Sequence, residues 1–379
     1  MQCASFDRIT TAFERNVLEL NEAKENGRKV VGTYCLYSPS EIAVAAGAIP
    51  VSLCGTKNDA IPAAEGILPR TLCPLIKSSF GFALNDSCPY LVASDVVVAD
   101  TTCDGKKKMF ELLADYKKIF LLQLPQTQNE DALSYWRNQF ALLIQRLEEE
   151  FGVHITEDKL REAIRLMNRE RLALKAVMDL AQRKPSPISG NELVEVAFKT
   201  SFFPDKEKGI AMMLDLAEEL AAKADRGENR YEESTPRILL TGVPVGVGSH
   251  KVVRLVEECG GNVVCLDNCS GYKKTRLMMD EDADPLTEMA QRYLDVPCAV
   301  MSPNPRRYEA IAQMARDFSV DAILDLTWQG CQTYAVESYS LKNFVRDKLG
   351  LPFMQLETDY SETDTEQLKV RIEAFLEML

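Results

Sequence analysis

The chain has 379 residues, 46% of them apolar and 27% charged, with a net charge of −13 at pH 7. That length supports two or three domains with real cores, and the composition is ordinary for a soluble globular protein. The acidic balance argues against nucleic-acid binding, which needs a basic footprint, and serves solubility instead. Only His154 and His250 occur, so histidine-rich metal sites and Ser–His–Asp chemistry are poorly supplied.

The first residues lack the basic-then-apolar layout of a signal peptide, and no apolar run reaches the length of a membrane span. A cytoplasmic protein is expected. In a reducing compartment its eleven cysteines should be thiols or metal ligands rather than disulfides.

In chain order, residues 5–27 read as an amphipathic helix ended by Gly27, followed by a strand over 29–35. Ser38-Pro39-Ser40-Glu41 reads as a helix start, with Ser at the cap, Pro at the first position and Glu three residues after the cap. The helix stops near Gly47, and 49–53 resumes as strand. The apolar run 95–100 is of the kind buried in a parallel sheet; a helix over 106–116 and a strand over 118–124 complete a βαβ pattern. From about 129 to 226 the chain turns to long, charged segments of helical period, among them 132–151, 157–182 and 206–225. After the polar stretch 227–234, strands are expected at 237–241, 263–267, 322–326 and 352–356. Helices are expected at 251–259, 285–294, 306–318 and 334–349, with a closing helix from Glu366.

Two segments share an order of Asp, apolar strand, cysteine, helix and strand: 95–125 and 321–357. The economical architecture is α/β, with two Rossmann-like (flavodoxin-like) parallel-sheet domains facing each other. The expected parts are 1–128 as a helix plus the first α/β domain, 129–235 as a helical domain, and 236–379 as the second α/β domain.

Cys35, Cys73, Cys103, Cys269 and Cys331 each fall where a strand hands over to a helix, the edge at which open α/β sheets hold ligands. So wide a spread suits one inorganic cofactor gathered from several loops better than a zinc finger or disulfide framework built from local pairs. Cys103 precedes a helix and three lysines, Lys106 to Lys108, which favours ionised sulfur; the alternative is a buried thiol beside a solvated lysine face. Cys331 has the same placement. Cys73 precedes Pro74, a residue suited to the first helical position. Cys88-Pro89 repeats that pair without an obvious helix and reads as a packed thiol. Cys298 opens an apolar strand, Cys54 and Cys265 read as core, Cys259 lies on a helix, and Cys3 lies in a terminus expected to be mobile. The glycine-rich stretch 241–249 departs from GxGxxG and has Pro244 inside the turn, so it reads as a loop approaching a cofactor or the facing domain, or as an ordinary tight turn. Glu337, Glu357 and Asp359 are candidate proton donors, with a solvated face as the alternative. No Walker A sequence appears, so any ATP use falls to a partner.

The segments GTYC…SPSEIAVAAGAIPV, LCPLIKSSFG, TTCDGKKKMFE, DNCSG and GCQTYAVES resemble the 2-hydroxyacyl-CoA dehydratase / benzoyl-CoA reductase superfamily. Within it they are most similar to the double-cubane iron–sulfur cluster proteins. The resemblance covers nearly the whole chain and is least specific in the helical middle. It implies three cysteine ligands to one 4Fe–4S cubane at Cys73, Cys103 and Cys331. The double-cubane branch implies an 8Fe–9S unit with six ligands, the second set being Cys35, Cys269 and Cys298, with Cys54 or Cys88 as replacements for Cys298. It further implies a homodimer served by a separate ATP-dependent iron–sulfur activator, and low-potential reduction of a small-molecule substrate. A 2-hydroxyacyl-CoA dehydratase subunit with one cubane and a non-catalytic electron carrier are the competing functions.

Overall fold

In a computed structural model describing residues 3–379, short strands form two sheets of four. The first contains β1 (Val30–Thr33), β2 (Ile49–Ser52), β3 (Val96–Asp100) and β4 (Ile119–Leu122), in the order β2-β1-β3-β4. The second contains β5 (Arg237–Gly242), β6 (Asn262–Asp267), β7 (Ala322–Trp328) and β8 (Phe353–Thr358), in the order β6-β5-β7-β8. All the pairings are parallel. Every residue of β1, β3, β5, β6 and β7 is buried, because parallel sheets carry helices on both faces.

The two sheets have the same topology, and the similar segments occupy equivalent places in it: β3 and β7 are each third in order. The strand order reverses between β1 and β3 and again between β5 and β7, so the loops following these four strands flank the crevices where such folds bind ligands.

Between the sheets in sequence lie the helices Glu130–Phe151, Glu157–Asp179, Gly190–Thr200 and Lys206–Asp225. Asn129, Thr156, Ser189 and Asp205 cap them by accepting backbone N–H bonds. The Gly190–Thr200 helix is not among the elements expected from the sequence; it starts with a capping box of Ser189 and Glu192. This helical stretch fastens to both α/β halves. Arg171 pairs with buried Glu41 on one side, while Asn168 Nδ2 donates to the Met279 carbonyl at 2.9 Å on the other.

Some local expectations differ from the fold. Pro39, not Ser38, caps the helix Ser40–Ala45; the Ser38 hydroxyl donates to the Tyr34 carbonyl at 2.8 Å, and Glu41 is drawn into the core by Arg171. Cys88 caps a real five-residue helix, Pro89–Ala93. Cys298 lies in a turn with no strand around it. Cys3 is buried at the cap of the helix Ala4–Glu25, whose first N–H groups donate to Glu219. Among the described residues, no helix is long and apolar enough to cross a membrane.

Candidate functional site: a cysteine-lined cavity

The loops after β1, β3 and β7 meet those around residues 73, 269 and 298 at a cavity of ≈ 280 Å³. Cys35, Cys73, Cys103, Cys269, Cys298 and Cys331 all line it, three from each α/β half. Two pairs of thiols face each other across the junction. The proximity of Cys269, together with burial, pushes the Cys35 thiol well up. The proximity of Cys73 and Cys331 holds Cys73 below the ordinary thiol range and raises Cys331.

Each thiol is aimed by its local chain. Cys73, Cys103 and Cys331 are the caps of the helices Pro74–Leu84, Asp104–Leu113 and Gln332–Phe344, where unpaired N–H groups and the positive helix end point at sulfur. Pro74 takes the first helical position. Cys35 sits at φ 71°, a left-handed conformation that few residues with a Cβ adopt. Strain of this kind gathers at functional sites. The Cys103 loop is tied down by Gln126, whose Nε2 donates to the Thr102 carbonyl at 2.8 Å.

Gly330 allows a close approach of the halves. Its φ is 77°, and a Cβ there would lie 2.2 Å from the Thr71 carbonyl oxygen and 3.1 Å from the Cys73 nitrogen. Gly330→Ala is therefore expected to destabilise the protein by about 2–4 kcal/mol through backbone strain and overpacking, measurable by denaturant unfolding. A change under about 0.5 kcal/mol would mean that the 71–73 and 330–331 loops part at little cost. The glycine-rich loop also abuts the facing half: Thr56 Oγ1 donates to the Val247 carbonyl at 2.9 Å, and Val243 and Pro244 line the cavity.

Charge around the thiols is uneven. Of the three lysines after Cys103, only Lys106 is buried and lines the cavity; Lys107 pairs with Asp104 and Lys108 with Glu111 at the surface. Burial pushes the Cys103 thiol up, opposed by the Lys106 N–H and ammonium. Burial also pushes the Asp100 carboxyl up to about 6, against the charge of Lys106 and the Thr102 and Ser38 hydroxyls. On the other side, the Tyr334 hydroxyl lies 3.7 Å from Cys298 Sγ, and the Arg307 guanidinium stacks 5.1 Å from the Tyr334 ring centroid. Arg307 is fully buried, 3.2 Å from Asp267 and 2.8 Å from Glu337. Fully buried Lys273 approaches Asp267 at 3.8 Å.

Among the described residues, no three His, Cys, Asp or Glu side chains converge as a single metal ion requires. The thiols ring a volume instead of a point, a donor set suited to a polynuclear cage with cysteine at its corners.

Glu337 anchors Arg307 and accepts from Asn304 Nδ2 at 2.8 Å, whereas Glu357 is exposed near the end of β8; neither lines the cavity. Asp359 accepts from the Ser361 backbone at 2.8 Å. Cys88 does not line the cavity. Cys54 is not a core residue: it stands after β2 and faces a second, adjoining cavity. Cys265 is buried in β6, and Cys259 caps the helix Lys251–Glu258. Lys106 is one of three lysines marked in the sequence, whereas Asp100, Lys273, Arg307 and Tyr334 do not stand out there as site residues. Their only local signal is proximity to a strand end or to Cys331, and their grouping is tertiary.

The geometry is that of a two-sheet α/β protein with a cysteine-lined cavity bordered by loops of both sheets. The chain belongs to the 2-hydroxyglutaryl-CoA dehydratase D-component family, HGD-D, whose model matches residues 35–379. It is 44% identical to YjiM of Escherichia coli (strain K12), provisionally named a dehydratase subunit, over 99% of this chain and 98% of that one. It is 25% identical to the (R)-phenyllactyl-CoA dehydratase beta subunit of Clostridium sporogenes, covering 95% and 94%. To one of the benzoyl-CoA reductase subunits of Thauera aromatica it is 22% identical, covering 70% and 68%. An enzyme component related to these dehydratases and reductases is thereby established.

Proposed function

We propose that this chain is the catalytic component of an iron–sulfur reductase, holding a double-cubane 8Fe–9S cluster on Cys35, Cys73, Cys103, Cys269, Cys298 and Cys331. The observation that carries the reading is that all six thiols border one cavity, three from each half, twice as many as one cubane with three ligands would use. Bound there, the cluster supplies low-potential electrons, because thiolate charge in apolar surroundings makes it hard to reduce and its reduced form a strong donor. The chain's own residues do the rest. Leu72, Leu75, Ile76, Val243 and Trp328 exclude water from the cavity. Lys106 and Lys273 offset thiolate charge, and the Tyr334 hydroxyl holds a proton beside Cys298.

The electrons come from a separate ATP-dependent iron–sulfur activator, and the working form is a homodimer acting on a small unsaturated molecule. The family match favours a second reading, a 2-hydroxyacyl-CoA dehydratase subunit with one 4Fe–4S cubane on Cys73, Cys103 and Cys331. Iron and sulfide quantitation with EPR on anaerobically purified protein separates the two. About eight iron and nine sulfide per chain are expected. About four irons would replace the reductase reading with the dehydratase one. Reducible clusters without turnover of any small substrate, with activator and ATP present, would leave an electron carrier.

A further inference from the structure

Behind the Cys35–Cys269 edge of the thiol cavity lies a second cavity of ≈ 130 Å³, which shares those two cysteines with the first. Its walls are of a different kind. Ser40, Ser52 and Ser270 present hydroxyls that bond no other group among the described residues, and Lys274 and Arg292 stand beside them.

The charges around this cavity do not balance. Arg171 is paired with Glu41, and Lys206 holds Glu170 at 2.9 Å. Lys274 and Arg292 have no carboxylate in contact. Lys274 makes no hydrogen bond or ion pair through its ammonium among the described residues. Arg292 is 5% exposed and donates only to backbone, at 2.8 Å to the Lys274 carbonyl and at 3.4 Å to that of Leu277. Glu170 and Glu41 attract these two cations but are already in contact with Lys206 and Arg171, so positive charge is in excess here; burial lowers the Lys274 ammonium and brings the Arg292 guanidinium down to about 10. A bound dianion would offset that excess.

Size narrows the ligand. At roughly 10–15 Å³ for each water-sized group, this cavity has room for on the order of ten non-hydrogen atoms. A sulfate or phosphate fills half of that, and a coenzyme A moiety exceeds it several times over.

We propose that this second cavity is a binding site for a small dicarboxylate, one carboxylate on Lys274 and the other near Arg292, with the serine hydroxyls completing the set. This names a substrate class for the reductase reading and rests on it for turnover, but binding itself does not require the cluster.

The test is isothermal titration calorimetry of the full chain with succinate, with sulfate, and with neutral succinamide as control. Saturable succinate binding, absent for succinamide and weakened at least about tenfold in Lys274→Gln, is the expected result, with Lys274→Arg restoring most of the affinity. Sulfate binding without succinate binding overturns the dicarboxylate assignment. Binding of neither, or succinate binding unchanged in a folded Lys274→Gln protein, overturns the site. An iron count of about four would overturn the reductase reading and leave this titration unaffected, so the two failures are distinguishable.

Discussion

Purified anaerobically, Cys103→Ser and Cys331→Ser are each expected to lose more than about half of the iron carried by the unaltered protein, because a serine hydroxyl is a poor substitute for soft thiolate at iron. Cys331→Ser should be the more damaging. It removes a donor and also the thiol whose proximity holds Cys73 below the ordinary thiol range across the junction. Cys3→Ser is the control: Cys3 is buried at the start of the first helix beside Glu219 and does not line the cavity, so iron content should be unchanged. Colorimetric iron with EPR reads the outcome, and circular dichroism shows whether each variant keeps its fold. Full iron in folded Cys103→Ser and Cys331→Ser would remove the cysteine-lined cavity as the cluster site.

Much of the fold is legible in the sequence because its signals are local. The run 95–100 is of the apolar kind buried in a parallel sheet, 322–326 reads as its counterpart, and each is followed by a cysteine and a helix start. These repeated marks point to two like halves, which share one strand order. The thiols are legible for the same reason, since strand-to-helix handovers place residues at the ligand edge whatever the rest of the chain does.

Sequence and structure part where tertiary partners override local grammar. Ser38 and Glu41 have capping-box spacing, yet one Glu41 oxygen accepts from Arg171 and the other from the Tyr293 hydroxyl, both more than a hundred residues away. Cys54 follows an apolar strand like a core residue, but it occupies in the first sheet the place that Cys269 occupies in the second, after the edge strand. Equivalent loops point at the same junction, and Cys54 accordingly faces the adjoining cavity with Cys35 and Cys269. Arg307 falls within the expected helix 306–318 and Lys273 within no expected element; only the folded chain puts them behind Tyr334.

Arg171→Met is expected to destabilise the protein by about 3–5 kcal/mol, because it leaves Glu41 without its partner in a fully buried setting. In the unaltered protein burial alone would raise the Glu41 carboxyl, but Arg171, Arg292 and the Tyr293 hydroxyl outweigh it and hold the group below its ordinary value. A carboxyl depressed in the folded state contributes stability above its unfolded pKa of about 4.3 and loses it as pH falls through the folded value. Without Arg171 the sign reverses: the folded pKa rises, the charged form is penalised near neutrality, and protonation relieves the penalty. The stability gap between variant and parent should therefore narrow as pH falls from 7 toward about 5, as read by urea unfolding at each pH. Adding Glu41→Gln removes the stranded charge, so the double variant should be more stable than Arg171→Met alone at pH 7. If the double variant is no more stable and the gap is flat with pH, lost packing rather than lost charge explains the effect, and the clamp between the helical stretch and the first sheet is steric.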